Sequence, residues 1–475
     1  MNKNLPIAMT ISFLLAYSFG LNAQIQIGAD IDGTDTLAHS GRSVSLSSDG
    51  STVAIGAPFF DESKGKVRVY KNQNGDWEQI GSDIEGTETG DFSGTSVSLS
   101  SDGSILAIGS YKFDGFRGQV RLYENQNGTW EQIGADIVGT ELGDRSGISV
   151  SLSLDGSIVA IGALGHNDYR GQVRIYKNES GSWEQIGSEI EGAEIDDYSG
   201  WSVSLSSDGS TVAIGAPFHY GTTGRVLIYK NENGSWEQVG SDIDGTGALE
   251  ISGLSVSLSS DGSTVAIGSP NHDGERGLVR VFRNQGGIWE QVGSDLKGKI
   301  VLDKFGYSVS LSFDGNILAI GIPNHNGKKG QVRVYKNQNE TWEQIGFDIS
   351  GAAIDRLGWV VSLSSDGSMM AIGVPSHNGN GVLGSGQVKV YNELLVSLLQ
   401  IEENDMSIYP NPTSGVIQIE GIIADRIEVL DNLGRLLMTK DHPTSQLDIS
   451  HLPIGVYYFK IKIGEKILST QVIKN

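Results

Sequence analysis

Apolar and polar residues alternate along most of this chain in short runs, not in helical stripes. In residues 43–47, 52–57, 66–70 and 77–84 the apolar positions, chiefly Val, Ile, Tyr, Trp and Leu, recur with a period near two. That is the pattern of strands with one buried face. Turn formers separate the runs. Asp49-Gly50 lies between the first two, and Gly tolerates the positive φ a tight hairpin needs. Residues 72–75 separate the third from the fourth. No stretch of this region carries a helical period.

The block then returns. Its Asp-Gly recurs at Asp49, Asp102, Asp155, Asp208, Asp261, Asp314 and Asp366, at intervals of 53 residues with a last interval of 52. A fixed period of this length marks an array whose units bury their apolar faces only against neighbours. Four antiparallel strands repeated seven times predict a seven-bladed β-propeller, so the fold class is all-β. Six units carry a fourth strand, marked by Trp77, Trp130, Trp183, Trp236, Trp289 and Trp342; the seventh does not. Residues 26–33 match residues 79–86 at an offset of 53. The N-terminal segment is therefore expected to pair with residues 388–391 as the outer strand of blade seven, which leaves the ring without an open end.

These residues resemble the FG-GAP repeat of integrin α-subunit propellers and their bacterial relatives. The resemblance rests on Ser-Gly or Phe-Gly before a Ser-Val-Ser-Leu-Ser strand, as at Phe305-Gly306, and on Gly56-Ala57-Pro58 and Gly215-Ala216-Pro217. It spans roughly residues 25–391. It implies a propeller whose partner docks on one loop face.

The flanks read differently. Residues 1–23 have Lys3 before an apolar run and Leu21-Asn22-Ala23 at the end, the layout of a secretory signal peptide. Residues 394–404 break the repeat and read as a linker. In residues 405–475 glycine thins out, prolines appear, and alternation at 416–419, 427–430, 456–463 and 467–473 predicts a small antiparallel β-sandwich. Tyr409-Pro410-Asn411-Pro412, the run 431–436 (DNLGRL), the run 452–459 (LPIGVYYF) and Lys474 resemble the C-terminal sorting domain of type IX secretion. That resemblance implies a Gram-negative bacterium, the type IX machinery as partner, and a protein that ends outside the cell or on its outer surface.

Charge narrows the partners. The chain carries a net −23 and no cysteine. Such an acidic surface argues against nucleic acid or an anionic membrane, and nothing after the leader is long and apolar enough for a transmembrane helix. Export without disulfides is compatible with the large core of a propeller.

Four recurring or varying positions are candidates for chemistry. The Asp-Gly hairpins resemble calcium loops but offer one carboxylate each, as in Ser45, Ser47, Asp49 and Val53. Calcium takes about six or more oxygens, several of them charged, so no metal or other cofactor is expected. His166, His219, His272, His325 and His377 share one position, taken by Phe60 and Phe113 in blades one and two. Equivalent points on neighbouring blades stand on the order of 10 Å apart, too far to share a zinc ion; exchange with Phe reads as loop packing. Asp91, Asp144, Asp197, Glu250, Asp303 and Asp355 precede the first strands, with Ala38 breaking the series, and read as local turns that satisfy backbone N–H groups.

The fourth position does not repeat. Between the Gly and the Ser-Val of each first strand stand Arg42, Thr95, Ile148, Trp201, Leu254, Tyr307 and Trp359, and in blade seven the following Ser is Val360. The first strand of a propeller blade is innermost, so these side chains should ring one mouth of the central channel. Variation on a fixed scaffold is where specificity sits, and two Trp and a Tyr suit a sugar or a cation. No nucleophile, base and acid stand together outside the repeat, so the protein is read as non-catalytic. The reading is a secreted or surface-held propeller that binds a protein or glycan in adhesion or recognition. The alternative is an extracellular polysaccharide-acting enzyme or its carbohydrate-binding accessory.

Overall fold

The computed structural model describes residues 24–393, 407–420, 426–431, 435–441, 443, 446–463 and 466–475. The leader, the linker and part of the 431–436 motif lie outside the described residues. The chain divides after Glu393 into two compact units.

The first unit is a seven-bladed propeller of seven antiparallel sheets. Blade one shows the plan: inner strand Ser43–Leu46, then Thr52–Ala57, Lys66–Gln73 and Asp76–Gln79. The second strand is buried throughout, as a strand covered on both faces must be. The core lies between neighbouring sheets. Ala54, Val67 and Val69 of blade one, for example, pack on Val97, Leu99, Leu106 and Ile108 of blade two.

The fourth strand departs from the uninterrupted run 77–84. It stops at Gln79, and Ile84–Glu85 resumes pairing with the third strand at Val67 and Lys66. Gly81 sits in the break with φ +72, and a Cβ there would lie 2.7 Å from the Gly128 carbonyl and 3.1 Å from the Trp130 ring. The break is thus the seat for the next blade's tryptophan. The alternation at Ile80 and Ile84 is compatible with one strand, which is why periodicity missed it.

The sheet of blade seven takes its outer strand from the chain's other end. Gln24–Gln26 pairs with Glu393, Asn392 and Tyr391, and Ile31 pairs with Val388. Two rings of hydrogen bonds then run around the channel without a gap. In the first, each inner-strand serine hydroxyl accepts from the next blade's Leu N–H, from Ser45 with Leu99 through Ser362 with Leu46, at 2.9–3.1 Å. In the second, backbone N–H to carbonyl bonds run from Ser48 to Ser101 and on around to Ser365, which returns to Ser48, at 2.8–2.9 Å. A third series, Ser43 Oγ donating to Gly94 O and its equivalents, has six members. Val360 replaces the seventh serine.

The second unit is a small antiparallel sandwich. Strands Ser407–Tyr409, Val416–Glu420 and Gln446–Asp448 form one sheet; Leu436–Asp441, Arg426–Leu430, Gly455–Ile463 and Lys466–Lys474 form the other. Ile417, Ile419 and Leu447 from the first sheet meet Ile427, Val429, Phe459, Ile461 and Val472 from the second.

Candidate binding face at the channel mouth

Strand direction sorts the loops of the propeller onto two faces. The Asp-Gly hairpins and the third-to-fourth turns share one face. The second-to-third loops and the connections into each inner strand share the other, called here the upper face.

On the lower face the carboxylates are spent locally. Asp49 Oδ1 accepts from Ser47 Oγ at 2.7 Å and from Ser51 N–H at 2.9 Å. The other six hairpins repeat this pair of bonds. Burial alone would push the Asp49 carboxyl up, but the Ser47 hydroxyl and the Ser51 N–H hold it below its ordinary value. The same balance holds at Asp102, Asp155, Asp208, Asp261, Asp314 and Asp366.

On the upper face the histidine and acid series are two halves of one device. His166 Nδ1 lies 2.9 Å from Asp144 Oδ1, His219 2.6 Å from Asp197, His272 2.6 Å from Glu250, His325 2.7 Å from Asp303, and His377 3.0 Å from Asp355. A carboxylate only accepts, so each Nδ1 carries the proton. The acids are also turn acceptors; Asp144 takes the N–H groups of Thr140 and Glu141. Burial would raise the Asp144 carboxyl, but the Glu141 N–H, His166 and the Thr140 hydroxyl hold it below its usual value. Blade one has Ala38 and Phe60 instead, and in blade two Asp91 stands with Phe113 and its carboxylate accepts, among the described residues, only from the Thr87 hydroxyl and the Glu88 N–H. Each pair pins the second-to-third loop to the connection entering the same blade. Glu141, Asp144 and His166 bring three ligand atoms within 4.8 Å of one another, but both Asp144 oxygens already accept from the protein.

All seven non-repeating residues are half-buried at this face. Three of them meet. The Arg42 guanidinium lies over the Trp359 ring at 4.1 Å, and the Tyr307 and Trp359 rings are 4.6 Å apart. Trp201 belongs to a second group, 6.4 Å from Tyr198 and 5.7 Å from Phe218. The Thr95 hydroxyl is taken by the Phe92 carbonyl at 2.8 Å. Ile148 and Leu254 join neither group.

A second varying ring stands three residues earlier: His39, Phe92, Arg145, Tyr198, Ile251, Lys304 and Arg356. All seven have φ between 50 and 61. For such side chains this conformation is strained by about 1–3 kcal/mol each. Backbone bonds hold it: Arg145 N–H donates to Phe116 O at 2.7 Å, and Ile148 N–H to Arg145 O at 3.2 Å. The signal that finds this ring is the one that found the first, absence of repetition inside the repeat.

Together the rings build an arc of aromatic and cationic groups. Arg356 lies 5.5 Å from the Trp359 ring. Phe59 meets His39 at 5.1 Å and Phe92 at 5.2 Å; Lys112 lies over Phe92 at 4.0 Å; Arg145 faces Phe116 at 5.4 Å and Tyr169 at 5.2 Å. Tyr169 stacks on Tyr198 at 5.0 Å. Burial pushes the Tyr307 phenol up, against the pull of the Arg42 and Arg356 charges, and lowers Arg42, with Arg356 adding to that effect. Arg42, Arg356, Trp359, Phe59 and His39 line one concavity between blades one and seven.

Residues 407–475 match the family model described as a secretion system C-terminal sorting domain. The tail is a type IX sorting domain, and it marks the chain for export to the cell surface or beyond. No match to the FG-GAP repeat accompanies it. Among solved structures, hydrazine synthase of Kuenenia stuttgartiensis is similar at 14% identity and a TM-score of 0.50, over 72% of this chain and 93% of that one. That likeness is one of fold. A putative 6-phosphogluconolactonase from Bacteroides uniformis is similar at 15% identity and a TM-score of 0.49, over 66% and 85%. Among the described residues no helix is long and apolar enough to cross a membrane.

Proposed function

We propose that the propeller is a non-catalytic recognition module, carried out of a Gram-negative bacterium by its tail, that binds a glycan or protein on its upper face. The observation that supports this reading is the placement of variation. Blades whose strands repeat nearly residue for residue differ at two rings on the upper face and in the second-to-third loops beside them, and Arg42, Trp359 and Tyr307 meet there in one cluster. The resemblance of the repeat text to FG-GAP propellers favours the same face. Against catalysis, every histidine of the upper-face series spends its Nδ1 on its own acid in the same way, the pattern of a repeated structural contact.

The test is capture of glycans and extracellular matrix proteins by the purified chain and by a variant with Arg42, Trp201 and Trp359 all replaced by Ala. The expected result is a ligand held by the parent and lost by a folded variant. Undiminished capture by the variant would refute the assignment of the face.

A further inference from the structure

One side of the channel mouth gathers four cations in an acidic protein. The chain is net −23, yet Arg42, Arg356, Lys112 and Arg145 stand around one side of the mouth with no carboxylate paired to them among the described residues. Some other bases on the same face are paired, Lys304 with Glu275 at 3.6 Å, Arg117 with Asp114 at 3.0 Å and Arg276 with Asp273 at 2.8 Å, while Arg170 bonds a main-chain carbonyl, that of Ala193. The four unpaired cations rest on rings instead, Arg42 and Arg356 on Trp359, Lys112 on Phe92, Arg145 on Phe116 and Tyr169. A guanidinium placed over an indole can still offer its planar N–H fork to a carboxylate or sulfate.

Resting on the reading of this face as the binding face, we propose that the ligand is an acidic polysaccharide, with Arg42, Arg356 and Trp359 forming the main anion subsite and Lys112 and Arg145 extending it along the rim. Cations and rings alternate along the arc, and a polymer of charged sugars alternates in the same way. Each unit offers an apolar C–H face to a ring and an anionic group to a cation. An acidic peptide supplies the charge without the flat apolar face. Half-burial of Arg42 makes an unpaired charge costly in the free protein, which favours an anionic ligand over a neutral one.

The experiment is calorimetric titration of the purified chain with polygalacturonate and alginate (carboxylated), carrageenan (sulfated), laminarin (neutral), polyglutamate and oligothymidylate. A carboxylated or sulfated glycan should bind at least about tenfold more tightly than laminarin, polyglutamate or the oligonucleotide, and weaken sharply at about 0.5 M salt. Arg42→Met and Arg356→Met should each lower that affinity about tenfold or more, while Lys336→Met leaves it unchanged. Arg356→Met decides the matter if Arg42→Met fails to fold. Equal binding of polyglutamate or oligothymidylate would overturn the proposal, as would binding that survives both arginine substitutions. If laminarin binds best and is lost on Trp359→Ala, the acidic-ligand inference fails while the binding face stands. If none of the polymers binds and the Ala variant above retains every ligand found, both fail.

Discussion

Trp77 of blade one donates its indole Nε1–H to the main-chain carbonyl of Ile27 across 2.9 Å. Ile27 belongs to the N-terminal segment in the sheet of blade seven, so this bond ties the first blade to the last. Five more tryptophans repeat it at a separation of 50 residues, Trp130 to Ile80 through Trp342 to Val292, at 2.8–3.1 Å. Gln24 stands where the seventh would be, and the outer strand of blade six, Thr341–Ser350, runs unbroken with a register shift.

Trp77→Phe should remove the donor and keep most of the packing, lowering stability by about 1 kcal/mol. Deleting residues 24–33 removes the strand and this bond together. It should cost several kcal/mol, a large share of the roughly 5–15 kcal/mol that holds a domain. Urea melts of the two variants check the order; equal and negligible effects would mean the ring does not depend on this closure.

The seven hairpin carboxylates set the acid limit. Their folded pKa values are depressed, so their contribution is present above the unfolded value of about 4 and is lost as pH falls through the lower folded values. Stability should be flat from about pH 7 to 5 and decline below about pH 4. Asp208→Asn should flatten that decline slightly. The same bonds occupy one oxygen of the single carboxylate each loop offers, too few free oxygens for calcium, so EDTA should leave the melting temperature unchanged; a drop restored by calcium would show that the loops hold an ion.

The His–acid pairs can be built where they are missing. Ala38→Asp alone buries a carboxylate beside Phe60 and should destabilise the protein by about 1–3 kcal/mol. Adding Phe60→His should recover much of that loss. A double-mutant cycle with no coupling would mean that proximity, and not the hydrogen bond, accounts for the series.

Removing residues 407–475 should leave the propeller folded but retained inside the outer membrane, as cell fractionation would show. Normal appearance in the medium would mean that the tail does not direct export.

The blades were legible because a β-strand period and a 53-residue repeat are both local patterns. Contacts between blades were harder to see. In an exact array a partner 50 residues away and one in the same blade leave the same trace, so the tryptophans read as strand markers and not as links to Ile27 or Ile80. The constant spacing of 22 from Asp144 to His166 was present in the text, but two series each with a sufficient local explanation hid the bond between them. The ring at His39, Arg145 and Arg356 carries the same signal of non-repetition, but its position on the mouth was not legible. Its left-handed backbone is imposed by hydrogen bonds from neighbouring loops, and no glycine advertises it.

Hydrogen exchange of the purified chain, with and without a bound acidic polysaccharide, tests the central claim most directly, because it locates the ligand without any substitution. The account predicts slowed exchange at residues 39–42, 112–117, 145–148, 356–359 and 375–376, with the Asp-Gly hairpins unchanged. Protection confined to those hairpins or to the outer strands would place the ligand elsewhere and contradict it.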